Sequence, residues 1–264
     1  MVDFLSSPAD GGAPGVSTRV YYWGDLSEPP TNWRSIKTKE EGRMISGGSH
    51  YGQACIALSN HLLANPAPLV FAARILELGA GVGLLSLVAA RICQDRDATG
   101  RTEGKRIVAT DVDEKVLEML QENIALNSLD HLVEAKSLDW ELASDPAPGQ
   151  DALHTWRDAV SNGGNCAELI IGADIVYDPS LAGHLAATLR WLLHRKDGSN
   201  TPEALIAGTV RSEDTWAFFL EECRSRQLVV EAVPLQTLPD HSGLVGAEGW
   251  EGEGEVRLVR IVAA

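Results

Sequence analysis

From residue 74 onward, short apolar runs alternate with amphipathic stretches, at the spacing of strands followed by helices. RILELG (74–79) is the first run, and LLSLVAARICQDR (84–96) follows it at helical period behind a glycine-rich turn. RIVATD (106–111) predicts a second strand, and EKVLEMLQENIALN (114–127) sets Val116, Leu117, Leu120, Ile124 and Leu126 largely on one helix face. HLVEAKSLDW, ELIIGAD and ALIAGTV predict three further strands. Helices are expected around 151–160, from Leu181 to Leu193, and over TWAFFLEECRSR. The chain then changes pattern. LVVEAVP and EVRLVRIVA follow as two strands with no helix between them, joined by the Gly-rich, acidic stretch DHSGLVGAEGWEGEG. Alternating strands and helices predict a parallel sheet covered on both faces, and two strands joined without a helix pair as an antiparallel hairpin. The expected fold class is α/β, with seven strands and a terminal antiparallel hairpin.

The N-terminal part is less regular. Residues 1–17 are rich in Gly, Pro, Ala and Ser and are expected to form a mobile tail. Residues 18–70 form an N-terminal extension, containing YYW, a Pro-Pro turn, the charged patch KTKEEGR and a helix over YGQACIALSNHLLANP that stops at Asn-Pro. The principal domain is expected over 71–264.

Composition narrows the partners. A net charge of −15 and a pI near 4.8 argue against a surface built for polyanions, since phosphate binding needs clustered Lys and Arg. An acidic surface suits a basic protein partner, or solubility alone. Cys55, Cys93, Cys166 and Cys223 are far apart, a spacing that suggests free thiols in a reducing compartment. The histidines lack metal-ligand spacing, so no metal is expected. The N-terminus lacks a basic region followed by an apolar stretch, and no apolar run reaches the ~18 residues that span a bilayer. These features predict a cytoplasmic protein, expected as a monomer, acting away from membranes and without direct nucleic-acid contact.

Candidate chemistry lies at the strand ends. LELGAGVGLLS places Gly79, Gly81 and Gly83 between strand and helix, with Ala80 among them and Glu77 two residues ahead. Glycines here permit a tight turn and close backbone approach to a ligand. The GxGxG spacing favours a cofactor with an amino-acid moiety over one with a pyrophosphate. Asp111, beside Val112, ends the second strand where a carboxylate can accept ribose hydroxyls. It could instead cap the next helix, but Asp113 suits that role better, with Glu114 in the first turn. In LDW, Asp139 could accept from an adenine amino group and Trp140 offers a stacking face; a surface acid beside a core Trp is the alternative. Together these positions favour S-adenosylmethionine (SAM) over NAD(P).

With GADIVYDP after the fourth strand, the chain resembles the protein-lysine branch of the seven-β-strand methyltransferases, methyltransferase family 16. The DxxY pattern from Asp174 to Tyr177 is that branch's most specific mark. IVYDPSLAGHLAATLRWLL and ALIAGTVRSEDTWAFFLEECR are most similar to the elongation factor 2 lysine methyltransferases. The resemblance covers about residues 45–264. It implies a Rossmann-like class I methyltransferase sheet, SAM as cofactor, and a protein substrate, with a translation elongation factor leading. For such a reaction Asp174 is expected to orient the incoming lysine amine and relay its proton, the alternative being a helix cap before Pro179, while Tyr177 is expected to line the lysine channel. Ala173, next to Asp174, joins the expected cofactor contacts. Where the family carries a Trp-Glu segment, this chain has HYGQA: Tyr51 takes the Trp position at the cofactor, and Gly52 the Glu position. Asp178 and Pro179 are expected to start the next helix. Arg211 either pairs with a helix acid or touches substrate. The competing readings are a methyltransferase for another side chain or a small molecule, and an inactive SAM-binding interaction protein.

Overall fold

The computed structural model describes residues 16–24, 33–41, 53–96, 104–141, 167–194, 201–236, 244 and 254–264. Strand β3 (Arg74–Leu78) is the third strand across a seven-stranded sheet. Its side chains alternate between two cores. Ile75 joins the cluster under helices α1 (Gln53–Ala64) and α3 (Leu84–Asp95). Leu76 and Leu78 join the cluster under helices α5 (Pro179–Leu193) and α6 (Glu213–Ser225). A strand covered on both faces reads as a continuous apolar run, which is why RILEL carries no polar alternation apart from Glu77.

Around β3 run β4 (Arg106–Asp111), β5 (Val133–Ser137), β6 (Leu169–Ala173), β7 (Glu203–Val210), β8 (Leu228–Val233) and β9 (Glu255–Ala263). The order is β5-β4-β3-β6-β7-β9-β8. The first five are parallel, and β9 lies antiparallel between β7 and β8. The sheet and its terminal antiparallel pair therefore follow the expected pattern. Strand order reverses between β3 and β6, and open α/β sheets bind ligands at the carboxyl ends on such a switch point.

The helix starts also follow local chemistry. Asp113 caps α4 (Glu114–Leu126), accepting from the Lys115 and Val116 amides. Asp178 caps α5 by accepting from the Ser180 amide at 2.8 Å, with Pro179 in the first turn.

Several local expectations change. Residues 18–50, read without elements, contain the antiparallel pair β1 (Val16–Trp23) and β2 (Arg34–Glu41). β1 begins at Val16, so the strand takes in the last two residues of the expected tail. Tyr21, Trp23 and Ile36 are buried in the same cluster as α1 and α3, so apolar packing is continuous across residue 70. Asn65-Pro66 ends α1, but a short α2 (Ala67–Phe71) follows directly. β5 stops at Ser137, ahead of LDW. The Leu138 amide donates to the Asp111 carbonyl at 2.9 Å, and Trp140 opens a helical turn. The helix expected at 151–160 lies outside the described residues. Among the described residues, no helix is long and apolar enough to cross a membrane.

Candidate active site

The loop from β3 to α3 carries three glycines in left-handed backbone: Gly79 (φ 62°), Gly81 (φ 55°) and Gly83 (φ 93°). Each has a different surrounding. A Cβ on Gly79 would lie 2.6 Å from Ile175 Cγ2, with Trp140 Cζ2 at 3.6 Å from the same point. A Cβ on Gly83 would lie 2.2 Å from Leu120 Cδ1. At Gly81 a Cβ would meet nothing within 4 Å. Two glycines thus let the loop press against protein, and the third faces open space where a ligand can approach the backbone.

The loop is held from beneath by buried polar groups. Glu77 is 2% exposed and accepts from the Ser86 hydroxyl. It also accepts from the Ser86 backbone amide, one of the orphan donors at the start of α3. Burial pushes its carboxyl up to about 8, against the opposing pull of the Ser86 bonds. Thr110 Oγ1 donates to the Glu77 carbonyl at 2.7 Å, and the Ala80 amide donates to the Thr110 carbonyl at 2.7 Å. Glu77, expected among the cofactor contacts, therefore lies behind the loop and holds α3.

Asp111 ends β4 opposite the loop. Its Oδ2 accepts from the Gly81 amide at 3.0 Å, and its Oδ1 from the Val112 and Asp113 amides at 2.8 and 3.2 Å. A carboxylate has about four lone-pair sites, so Oδ2 keeps one for a further donor. Val112 is 60% exposed beside it. Asp139 Oδ1 accepts from the Glu141 amide at 2.8 Å, and the half-buried Trp140 packs toward Gly79. Tyr51 lies outside the described residues.

Across the switch point, Ala173 ends β6 and Asp174 adopts φ 55°, a left-handed conformation that Asp tolerates better than most residues. Its Oδ1 accepts from the Thr209 amide at 2.8 Å and its Oδ2 from the Ala54 amide at 3.3 Å. The carboxylate thus ties the start of α1 to the end of β7, with lone pairs remaining on both oxygens. Ile175 connects the two halves of the site: its side chain fills the space left by Gly79 and by Gly172. Tyr177 is 58% exposed, and its phenol is held protonated by burial and by the nearby Asp111 and Asp178 charges. Asp174, Val176, Tyr177, Thr209, Arg211 and Thr215 line one open cleft, floored by Trp216. Arg211 makes no ion pair among the described residues; the pairing with a helix acid is made instead by Arg257, which bridges Glu213 and Glu255.

These residues fit SAM. The open face at Gly81, the spare acceptor on Asp111, and the Trp140 ring lie along one sheet edge, next to a cleft lined by an acid and a tyrosine. Cys55, at the start of α1, escaped the motif reading. Its buried thiol is pushed up by burial and then by Glu77 and Asp174, which makes it inert packing beneath the site.

A seven-stranded sheet of this order, with a glycine loop after β3, an acid ending β4 and another just past β5, defines a class I SAM-dependent methyltransferase. The family model described as lysine methyltransferase matches residues 32–223, and the chain belongs to that family. It is 29% identical over 253 residues to protein-lysine N-methyltransferase EFM3 of Chaetomium thermophilum, covering 92% of this chain and 69% of that protein. It is 29% identical over 203 residues to human protein-lysine N-methyltransferase EEF2KMT, covering 71% of this chain and 54% of that protein. A methyltransferase structure from Pyrococcus furiosus aligns at 14% identity and a TM-score of 0.48, covering 84% of this chain and 88% of the other.

Proposed function

We propose that the chain transfers a methyl group from SAM to a lysine side chain of a protein, with an elongation factor 2-like translation factor as substrate. The observation that carries this reading is the shared cleft: Asp174 and Tyr177 face one opening, and Ile175 between them packs against the cofactor loop. The names of the fungal and human relatives support lysine as the acceptor, and that of the human one supports the translation factor. The protein acts as a monomer in the cytoplasm, where such a factor resides.

Bound at the loop, SAM supplies an electrophilic methyl on a positively charged sulfur. The chain's task is to deliver a neutral amine in line with it. Free lysine has a pKa near ~10.4, so the amine must shed a proton on the way in. Arg211, a cation lining the cleft, disfavours a second positive charge there. The free lone pairs of Asp174 accept a hydrogen bond from the amine, orient it, and draw its proton toward the open mouth of the cleft. The Tyr177 ring flanks the aliphatic stem. Holding two reactants in attack geometry can contribute about 7–11 kcal/mol. Such a site works chiefly by orientation.

The test is transfer of tritiated methyl from SAM to purified elongation factor 2 and to whole-cell lysate. One labelled protein band at the size of the factor, with label recovered as methyl-lysine, is expected. Label confined to small molecules, or on a residue other than lysine, would overturn the reading.

A further inference from the structure

Two asparagines one helical turn apart, Asn123 within α4 and Asn127 capping its C-terminus, act on the outer edge of β2 as a neighbouring strand would. Asn127 Oδ1 accepts from the Lys37 amide at 2.9 Å, and its Nδ2 donates to the Lys37 carbonyl at 2.7 Å. Asn123 repeats this two residues on, accepting from the Lys39 amide at 2.7 Å and donating to the Lys39 carbonyl at 3.1 Å. Strand residues two apart point their backbone groups to the same edge, and helix residues four apart share a face. The match of periods is what allows the ladder.

The two rungs differ at the second N–H of each amide. Asn127 donates it to the Asn123 carbonyl at 2.7 Å, within its own helix. Asn123 donates it to the Val82 carbonyl at 3.0 Å, in the middle of the glycine loop. Asn123 is fully buried, and its amide has every hydrogen-bonding group in use. The loop therefore touches α4 at two points, Val82 on Asn123 and Gly83 on Leu120. The first of these leads directly to β2.

We propose that Asn123 is a positioning residue for SAM: it fixes the Val82–Gly83 peptide through the β1–β2 hairpin, so that docking of the hairpin sets the cofactor loop. This rests on the loop binding SAM and is independent of the methyl acceptor. Loss of Asn123 leaves the Val82 carbonyl without its donor on the protein side. Loss of Asn127 frees the same strand from the same helix but leaves the loop bond intact.

The test compares Asn123→Ala with Asn127→Ala in the full chain, measuring SAM affinity by calorimetry alongside Tm. Both variants should lose comparable thermal stability. Asn123→Ala should weaken SAM about tenfold, the scale expected when a buried acceptor loses its donor, and Asn127→Ala by less than about twofold. With substrate, Asn123→Ala should raise the KM for SAM and recover kcat at saturation. A second pair, Lys39→Pro against Lys37→Pro, removes the strand donors while leaving both asparagines in place and should show the same asymmetry, with Glu122→Gln as the control for the exposed Lys39–Glu122 ion pair that Lys39→Pro also loses. Equal SAM affinity in both members of each pair would overturn the proposal. So would weakening that merely follows Tm. Absence of SAM binding by the unaltered chain would overturn it together with the cofactor reading.

Discussion

The two halves of the site are built differently. On the cofactor side, the supporting groups are buried and fully engaged: Glu77 is 2% exposed, and Thr110 and Asn123 are 0% exposed. On the acceptor side, Tyr177 is 58% exposed and Arg211 is exposed without an ion-pair partner among the described residues. One half presents backbone held from behind, which suits a ligand that never changes. The other presents side chains to solvent, where a protein surface can complete them. The contrast assigns affinity for cofactor to packing, and selection of substrate to a few exposed groups.

The sharpest way to break this contrast is to disturb packing on the cofactor side. Gly79→Val should abolish SAM binding in calorimetry, because a branched side chain at φ 62° would strike Ile175. Strain of this kind amounts to about 1–3 kcal/mol before the clash is counted. Next in size, Asp174→Ala should lower kcat by at least about 100-fold, a typical size for a lost proton-handling group, while the SAM Kd stays within about threefold. It should also lower stability by about 1–3 kcal/mol, because the Ala54 and Thr209 amides lose their acceptor. Normal turnover in that variant would remove Asp174 from the chemistry and leave it a role in holding α1.

Glu77 offers a test in pH. Its carboxyl, ordinarily near 4.5, is raised to about 8 in the fold. Between those values the folded chain keeps a proton that the unfolded chain has released, so stability falls as pH rises through this window and levels off above it. Glu77→Gln should flatten that slope, by on the order of a few kcal/mol between pH 5 and 8 in denaturant titrations of the cofactor-free protein. An unchanged slope would mean that the carboxylate is charged in place. The smallest effect belongs to Arg211→Ala, which should lower kcat near neutral pH about fivefold, as expected when the incoming amine keeps its proton more readily, with SAM affinity unchanged. A change in SAM affinity there would blur the division between the halves.

Most of the sheet was legible because its strands are buried on both faces and its helices on one, so periodicity reports them directly. The glycine loop, Asp113 and Asp178 were legible for a local reason: turns and caps are set within a few residues. β1 and β2 were not. KTKEE has the look of solvated polar chain, yet Thr38 and Glu40 are buried, and the outer edge of β2 is bonded at Lys37 and Lys39 by Asn127 and Asn123, more than 80 residues away. Asn inside an otherwise amphipathic helix was the available signal, since asparagine favours caps over helix interiors. Glu77 shows the opposite difficulty. Its place beside the glycines suggested a ligand contact, but strand alternation and burial turn it toward Ser86.

The place of β9 also governs how the sheet can be assembled. Among the described residues β8 pairs only with β9, and β9 in turn pairs with β7. While the chain is being made, β7 and β8 therefore both emerge before the strand that joins them, each with an open edge. No partial sheet can take in β8 early. The edge beyond β7 closes in a single late step, when residues 255–263 pair with β7 and bring β8 in on their far side. Such non-local closure is slow, and until it occurs two unpaired edges are exposed to other chains.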